Sequence, residues 1–190
     1  MYGTFDDPYC FPGTRILKNI PGIRDRKRLA QFEAIATTQR ADEPLPMGRL
    51  GVAHYRALHR HLFQDIYRWA GKLRTVSMSK GRSTFCYPEN IAREMEKLFG
   101  ELKRKKHLKG VSADGFVIDA AHFLAELNAI HPFREGNGRT QTTFVVLLGL
   151  HAGRAVRVER LRPRRFLAAM VASFGGSELP LRSELRAFID

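Results

Sequence analysis

The stretch from His131 to Arg139 concentrates residue types that can bind phosphate. It is HPFREGNGR. Gly136 and Gly138 permit backbone angles that other residues avoid, and they stand at the start of an apolar run typical of a helix. The unpaired backbone N–H groups at a helix start, together with the helix dipole, form an anion site. Asn137 adds an amide donor and Arg139 a forked cation that suits phosphate, so the stretch predicts a phosphate cradle.

Two side chains of the same stretch add acid–base and metal chemistry. His131 can take a proton near neutral pH. Glu135 is a hard oxygen ligand beside the predicted cradle, and such a carboxylate commonly holds Mg²⁺ against phosphates. Phe133 lies between them in sequence and is expected to turn inward and fix the loop. A base, a metal ligand and a phosphate cradle thus fall within nine residues.

Residues 73–87 change from helical to alternating spacing. Residues 73–78 alternate apolar and polar side chains, as a half-buried strand does. Residues 80–83 are typical of a turn, residues 84–87 form a second predicted strand, and Pro88 stops it. The segment 73–87 is therefore predicted to be a single β-hairpin beside helices.

The rest of the chain predicts helices. Apolar residues recur at steps of three and four, which indicates amphipathic helices. The predicted helices begin near Asp25, run from Tyr55 to Trp69 and from Ile91 to Leu102, begin at Ser112 and end before His131, run from Thr140 to about His151, and fill most of residues 163–190. The Thr140–His151 helix is expected to be the central core helix, and residues 1–22, rich in Gly, Pro and aromatics, an extended arm on the bundle. The predicted fold is all-α (mainly α), a helical bundle with one hairpin flap.

Length and composition are those of one globular domain, but the charge is strongly basic. The chain has 190 residues, 44% hydrophobic and 27% charged, so residues 1–190 are predicted to be a single domain. Lys and Arg number 32 against 19 Asp and Glu, a net charge of +13 that attracts polyanions. Plain solubility explains this charge equally well. No recognised nucleic-acid-binding motif is present, so a nucleic-acid partner is not expected.

Cysteine usage and hydropathy exclude several classes. The two cysteines, far apart and in no CxxC pattern, support neither a disulfide framework nor a cysteine zinc site. The N-terminus lacks the apolar core of a secretory signal, and no apolar run approaches the roughly 20 residues that span a bilayer. We expect a soluble, cytoplasmic protein with no membrane partner.

The HPFREGNGR stretch resembles the Fic motif, HxFx(D/E)GNGR, with every defined position present. Four other segments are also similar to Fic proteins, so the resemblance covers nearly the whole chain: AAHFLAELNAIHPF, FxDIYxWAGxxR, SKGxxxFCYP and PYCFPGT. Doc-type relatives, which are kinase-like, tend to carry Lys where this chain has Gly138. The glycine is similar to the AMP-transferring branch.

The resemblance implies a protein adenylyltransferase that moves AMP from ATP to a Ser, Thr or Tyr hydroxyl of a target protein. It implies that His131 is the catalytic base and that Glu135 holds Mg²⁺. Gly136, Asn137 and Gly138 would cradle the α- and β-phosphates, and Arg139 would stabilise charge on the leaving side. Residues 131–142 are accordingly expected to be the active-site loop and the start of a core helix.

The hairpin carries the second part of the implied site. Lys80 and Gly81, at its turn, are assigned to the ATP site, and the flap is expected to clamp the target by backbone pairing. Targets implied by similar toxins and effectors are type II topoisomerases and GTPases. The implied context is a toxin or effector restrained by a small antitoxin, cytoplasmic or secreted into a host cell if the chain was cut from an effector.

One position departs from the family pattern. The full motif continues GNGRxxR, and position 142 is Thr instead of the second arginine, which in similar proteins grips the γ-phosphate and pairs with an inhibitory glutamate. This leaves open two alternatives to AMP transfer. The same motif could transfer another nucleotide or phosphate-containing group, or the chain could be a catalytically weak binding module.

Overall fold

The computed structural model describes residues 7–80 and 83–190, and this part of the chain is mostly helical. Within it lie seven α-helices: α1 Arg26–Ala41, α2 Val52–Phe63, α3 Pro88–Arg104, α4 Ala113–Ile130, α5 Asn137–His151, α6 Pro163–Phe174 and α7 Leu179–Phe188. Short 3-10 helices occupy Lys106–Leu108 and Val158–Arg160. No helix of the described residues is both long and apolar enough to cross a membrane.

The starts of α1 and α4 follow the predicted caps. The Asp25 carboxylate accepts from the Arg28 N–H at 2.7 Å, and the Ser112 hydroxyl accepts from the Gly115 N–H at 3.1 Å. Both contacts satisfy N–H groups that a helix start leaves unpaired. The predicted end of α4 before His131 is confirmed.

Helix α4, and not α5, lies at the centre of the bundle. It packs against α3, α5, α6 and α7, and nine of its residues are buried. The expectation that the Thr140–His151 helix is central is therefore wrong. That helix also begins earlier than predicted, at Asn137, and its first turns bury the polar residues Asn137, Thr140 and Gln141. Two of these polar side chains are buried because they form hydrogen bonds with the backbone of the preceding loop: Asn137 with Phe133, and Thr140 with Gly136.

Helix α2 ends at Phe63, six residues before the predicted end at Trp69. The apolar pattern continues because the chain turns with backbone bonds three residues apart, such as Ile66 N–H to Phe63 O and Ala70 N–H to Tyr67 O. A period of three keeps apolar side chains on one side, much as an α-helix does. Periodicity alone does not separate the two conformations.

The β-pairing is much shorter than predicted. Among the described residues, strand β1 is Ser79–Lys80 and strand β2 is Ser83–Thr84, and they pair antiparallel. Residues 85–87, predicted to belong to the second strand, lie outside β2, and residues 73–78 are not a strand, so both parts of the prediction are wrong. At residues 73–78 the reason is that Arg74 turns inward: its backbone N–H donates to Pro132 O at 2.9 Å and its guanidinium to Val76 O at 2.6 Å.

The described part of the N-terminal arm lies on the bundle, as predicted. The Ile20 N–H donates to Ile66 O at 2.8 Å, and the Tyr9 ring meets the Trp69 ring edge-on. Cys10 and Leu17 pair in an isolated antiparallel β-bridge. Both side chains belong to a buried apolar cluster that includes residues of α1 and α2. Residues 1–6 of the predicted arm lie outside the described residues.

Candidate active site

His131 closes the C-terminus of α4 in a left-handed backbone conformation, with φ 49° and ψ 61°. This turn takes the chain out of the helix and into the loop. The imidazole stacks on the Phe85 ring with centroids 3.9 Å apart. Phe85 follows strand β2, so the predicted base lies directly against the residues that follow this strand.

A buried arginine fixes the backbone around His131. Arg74 is 2% exposed, and its guanidinium donates to His131 O at 2.8 Å, Ile130 O at 3.2 Å and Cys86 O at 2.5 Å. Burial lowers the pKa of this arginine. A cation at the C-terminal end of α4 also complements the helix dipole. Arg74 therefore ties the end of α4 to the segment that follows β2.

The loop from Pro132 to Gly136 is closed by two inward side chains. Phe133 is fully buried and stacks on Tyr55. The Asn137 amide accepts from the Phe133 N–H at 2.9 Å and donates to Phe133 O at 2.8 Å. The inward turn expected of Phe133 is confirmed. The side chain of Asn137, predicted to donate to a ligand, instead binds the loop and is 3% exposed.

The fully buried side chain of His59 supports the loop from Pro132 to Gly136 through hydrogen bonds. The His59 Nδ1 accepts from the Gly71 N–H at 2.8 Å, which leaves the proton on Nε2. Nε2 therefore donates to the carbonyl of Glu135 at 2.9 Å. The ring also stacks on Phe133 at 3.8 Å. Burial lowers the pKa of His59 to about 4, so the ring is neutral at pH 7.

The two loop glycines have different physical roles. Gly136, the N-cap of α5, has φ 83°, and a Cβ there would lie 2.3 Å from the Phe63 ring. Only glycine fits this position. At Gly138 a Cβ would meet no atom within 4 Å, and the residue is exposed. Its backbone N–H is in the first turn of α5, where a ligand can approach the backbone closely.

Arg139 is held by α1 and α2. Its guanidinium donates to the Thr37 hydroxyl at 3.0 Å, forms an ion pair with Glu33 and lies over the Phe63 ring at 4.9 Å. The other oxygen of Glu33 accepts from the Tyr67 hydroxyl at 2.5 Å. These contacts orient the guanidinium beside the N-terminus of α5, and its side chain keeps 40% exposure.

The Glu135 carboxylate bends back onto the loop, where Oε1 accepts from the Gly136 N–H at 2.9 Å. Within the described ranges, no three His, Cys, Asp or Glu side chains form a metal-binding group. A Mg²⁺ ion bound mainly by phosphates needs only one or two carboxylates, so a single Glu135 is compatible with that chemistry.

The arm reaches the loop through an ion pair. Arg134 donates to Asp7 Oδ2 from Nη2 at 2.6 Å and from Nε at 2.9 Å. Burial opposes ionisation of Asp7, but the contacts with Arg134 and the Tyr9 N–H outweigh it and lower the pKa of the carboxyl. The arm thus helps to fix the active-site loop.

Two predicted positions remain without a described side chain. The backbone of Lys80 is in β1, and Gly81 lies outside the described residues.

Thr142 lies one turn into α5, and its hydroxyl donates to Gly138 O at 3.0 Å. The structure thus brings His131, Glu135, Gly136, Asn137, Gly138 and Arg139 together at one loop and helix start.

Sequence reasoning missed four supporting residues: Asp7, Glu33, His59 and Arg74. Arg74 ends the FxDIYxWAGxxR segment, so the resemblance contained a signal for it. Glu33 and Asp7 contact residues 106 and 127 positions away, respectively, and no local spacing rule connects such pairs.

Comparison with known proteins agrees with this geometry. The sequence model of the Fic/DOC family matches residues 49–148. "Probable protein adenylyltransferase y4lH" of Sinorhizobium fredii is 50% identical over 189 residues, which cover 99% of this chain and 98% of that protein.

Two solved structures are also similar. The Fic domain of a Bartonella quintana effector with bound ADP has a TM-score of 0.86 at 28% identity, over 96% of this chain and 94% of that one. BepC of Bartonella tribocorum with bound AMPPNP has a TM-score of 0.87 at 27% identity, over 99% of both chains. With the complete HPFREGNGR loop at the start of α5, these matches show that the chain belongs to the Fic/DOC family.

Proposed function

We propose that this protein transfers AMP from ATP to a Ser, Thr or Tyr hydroxyl of a target protein and releases pyrophosphate. The observation that carries the proposal is that His131 and the N-terminus of α5 stand at the two ends of one loop, which Arg74 and His59 hold from below. A 50% identical relative bears the name of this activity, and two similar structures hold adenine nucleotides.

In the proposed reaction, the His131 imidazole accepts the proton of the target hydroxyl as the hydroxyl oxygen bonds to the α-phosphorus. The bond from the α-phosphorus to the oxygen bridging the β-phosphate breaks, and pyrophosphate leaves. His131 is neutral before the step and carries the proton after it. Positioning and electrostatic stabilisation supply most of the rate enhancement in such a transfer.

The N-terminus of α5 binds the phosphates in this proposal. The N–H groups of its first turn point out of the helix start and favour anions. Because loop closure uses the side chain of Asn137, this residue contributes its backbone N–H. Gly138 lets the phosphates approach the backbone, Gly136 forms the turn that places this helix start, and Arg139 balances charge on the leaving side.

Glu135 is the residue that would hold Mg²⁺. When bound, the ion supplies charge stabilisation to the α- and β-phosphates. One oxygen of the carboxylate accepts from the Gly136 N–H, which orients the group, and the second oxygen forms no hydrogen bond with the described part of the chain.

The paired strands β1 and β2 would receive the target as an added strand, which is how the flap would clamp an extended peptide. Lys80 and Gly81 remain assigned to the ATP site. Phe85 links this segment to His131, so a peptide on the flap would present its hydroxyl beside the imidazole.

We further propose that residues 1–190 form one Fic domain that acts as a toxin or effector restrained by a separate antitoxin. The sequence contains no (S/T)xxxE(G/N) string of the kind that restrains relatives in cis. A type II topoisomerase or a GTPase is the proposed target, in the cytoplasm or in a host cell.

The test is incubation with α-labelled ATP, Mg²⁺ and a cell lysate, followed by detection of labelled protein. We expect label on protein, and competition by unlabelled ATP but not by UTP or CDP-choline. If another nucleotide competes better than ATP, the group that the protein transfers comes from that nucleotide and is not AMP.

Thr142 favours one alternative, a binding module with weak activity. Its hydroxyl bonds to Gly138 O, so this position offers no cation to a triphosphate. A protein that binds a partner but leaves no label on any lysate protein would support this alternative.

A further inference from the structure

A cavity lies on the flap side of His131, and no residue of α5 lines it. It is a cleft of about 630 Å³ between α3, α4 and residues 84–87. Phe85, which stacks on His131, and Ile130, which precedes it, both line this cleft. The cleft therefore lies next to His131, with the Phe85 ring between them, and continues along residues 84–87.

The cleft is acidic in a basic protein. Glu94 and Glu101 of α3 and Glu126 of α4 line it, against one ammonium group, that of Lys97. The ion pairs formed by the described residues leave Glu126 without a partner. Glu94 and Glu101 pair only with arginines on their own helix, whose side chains are 73% and 72% exposed, and such exposed pairs are weak.

The walls between these carboxylates are apolar. Leu98 and Ile130 are buried at the base, and the Tyr87 ring is 56% exposed at the rim. Carboxylates repel a nucleotide, so this cleft disfavours ATP. A segment with apolar and basic side chains matches both the walls and the charge.

We propose that this cleft binds the part of the target protein next to the modified hydroxyl and selects segments that carry both basic and apolar residues. The inference rests on the proposed function for the identity of the occupant. Because Thr84 of β2 and Phe85, which stacks on His131, both line the cleft, such a segment would lie beside the reacting hydroxyl, and charge complementarity gives the preference for Lys or Arg. The overall charge of +13 disfavours a cationic segment elsewhere on the surface.

The test uses a fluorescein-labelled peptide of nine residues, with Thr at its centre and Lys alternating with Leu on both sides. Fluorescence anisotropy measures its binding to the full chain at low ionic strength without ATP. The variant is the double substitution Glu94→Gln and Glu126→Gln. The matched control is Glu96→Gln, since Glu96 is an exposed carboxylate on α3 that does not line the cleft.

We expect the double variant to raise the peptide's dissociation constant about tenfold, which corresponds to about 1.4 kcal/mol, and the control to change it less than twofold. Added salt should weaken binding of the peptide to the parent and reduce the difference in dissociation constant between the parent and the double variant. Failure of the parent to bind the Lys peptide, or equal effects of the double variant and Glu96→Gln, would overturn the proposal.

A second readout separates this proposal from the proposed function. In AMP transfer to the same peptide, the double variant should raise the KM for peptide and leave the KM for ATP unchanged. Cleft-dependent binding without AMP transfer would contradict the proposed function alone. If the protein transfers AMP to the peptide and the KM for peptide is the same in the parent and the double variant, the cleft proposal alone is contradicted.

Discussion

At the scale of single residues, the loop depends on two buried side chains whose hydrogen bonds stay within the protein. Asn137 and His59 use buried hydrogen bonds to hold backbone atoms of Phe133 and Glu135. An unpaired buried donor or acceptor costs about 1–3 kcal/mol, so each such bond strongly favours one loop conformation. The loop backbone is thereby fixed before any ligand binds.

The two glycines of the loop should respond differently to one added methyl group. Gly136→Ala forces a Cβ against Phe63 at positive φ and should lower the melting temperature by several degrees. Gly138→Ala should keep the melting temperature, since its Cβ meets open space, yet weaken ATP binding by crowding the phosphates. Thermal unfolding and ATP titration measure the two effects. Parent-like ATP affinity in Gly138→Ala would remove this residue from the phosphate site.

His59 should make the protein sensitive to acid. Its folded pKa is about 4, below its unfolded value of 6.5, so between these values the unfolded chain binds a proton that the folded chain does not. The free energy of unfolding should therefore fall as pH drops from 6.5 to 4, by about 1.4 kcal/mol per pH unit. Urea denaturation at several pH values measures this slope.

The control for the acid effect is a pair of variants. His59→Gln should be less stable at pH 7 but have a flatter dependence below pH 6.5. His61→Gln, on the same helix, should keep the parent slope. An unchanged slope in His59→Gln would assign the acid sensitivity to another group.

At the scale of elements, α5 presents its N-terminus to the site while its first turns are fixed by α1 and α2. Arg139 is oriented by Glu33 and Thr37 of α1 and by Phe63 of α2. Thr142 lies one turn further along, on the face it shares with Arg139, because residues three apart are neighbours on a helix.

Thr142→Arg should therefore tighten ATP binding about tenfold, by about 1.4 kcal/mol from one charge-assisted contact. Arg is a better helix former than Thr, so the fold should be retained. Thr143→Arg adds the same charge one position further around the helix and serves as the control. Isothermal titration with ATP decides the result. Equal gains in both variants would indicate nonspecific attraction, and no gain in either would make the second arginine dispensable here.

At the scale of the whole molecule, the sequence predicted what local rules determine. Helix caps at Asp25 and Ser112, the end of α4 and the loop HPFREGNGR follow from spacing and residue type. The prediction of a strand at 73–78 was wrong because the Arg74 side chain turns into the interior and donates to backbone carbonyls. Alternation of apolar and polar residues in the sequence does not reveal such a tertiary contact. The central position of α4 likewise depends on packing partners, as do the long-range pairs made by Glu33 and Asp7.

The arrangement as a whole gives each side of His131 a different charge. On one side lie the α5 N-terminus and Arg139, which suit ATP, and on the other the acidic cleft lined by Glu94 and Glu126. We expect this division to keep nucleotide and target apart until their reacting atoms meet at the imidazole.

The central claim is that His131 acts on the incoming hydroxyl and not on the nucleotide. The most direct measurement compares the parent with His131→Ala, by labelled AMP transfer to protein and by ATP titration of the same preparations. We predict that His131→Ala binds ATP with an affinity within about twofold of the parent and transfers AMP at least 100-fold more slowly, as loss of a general base commonly does. Transfer at the parent rate, or loss of ATP binding in parallel with transfer, would contradict the claim.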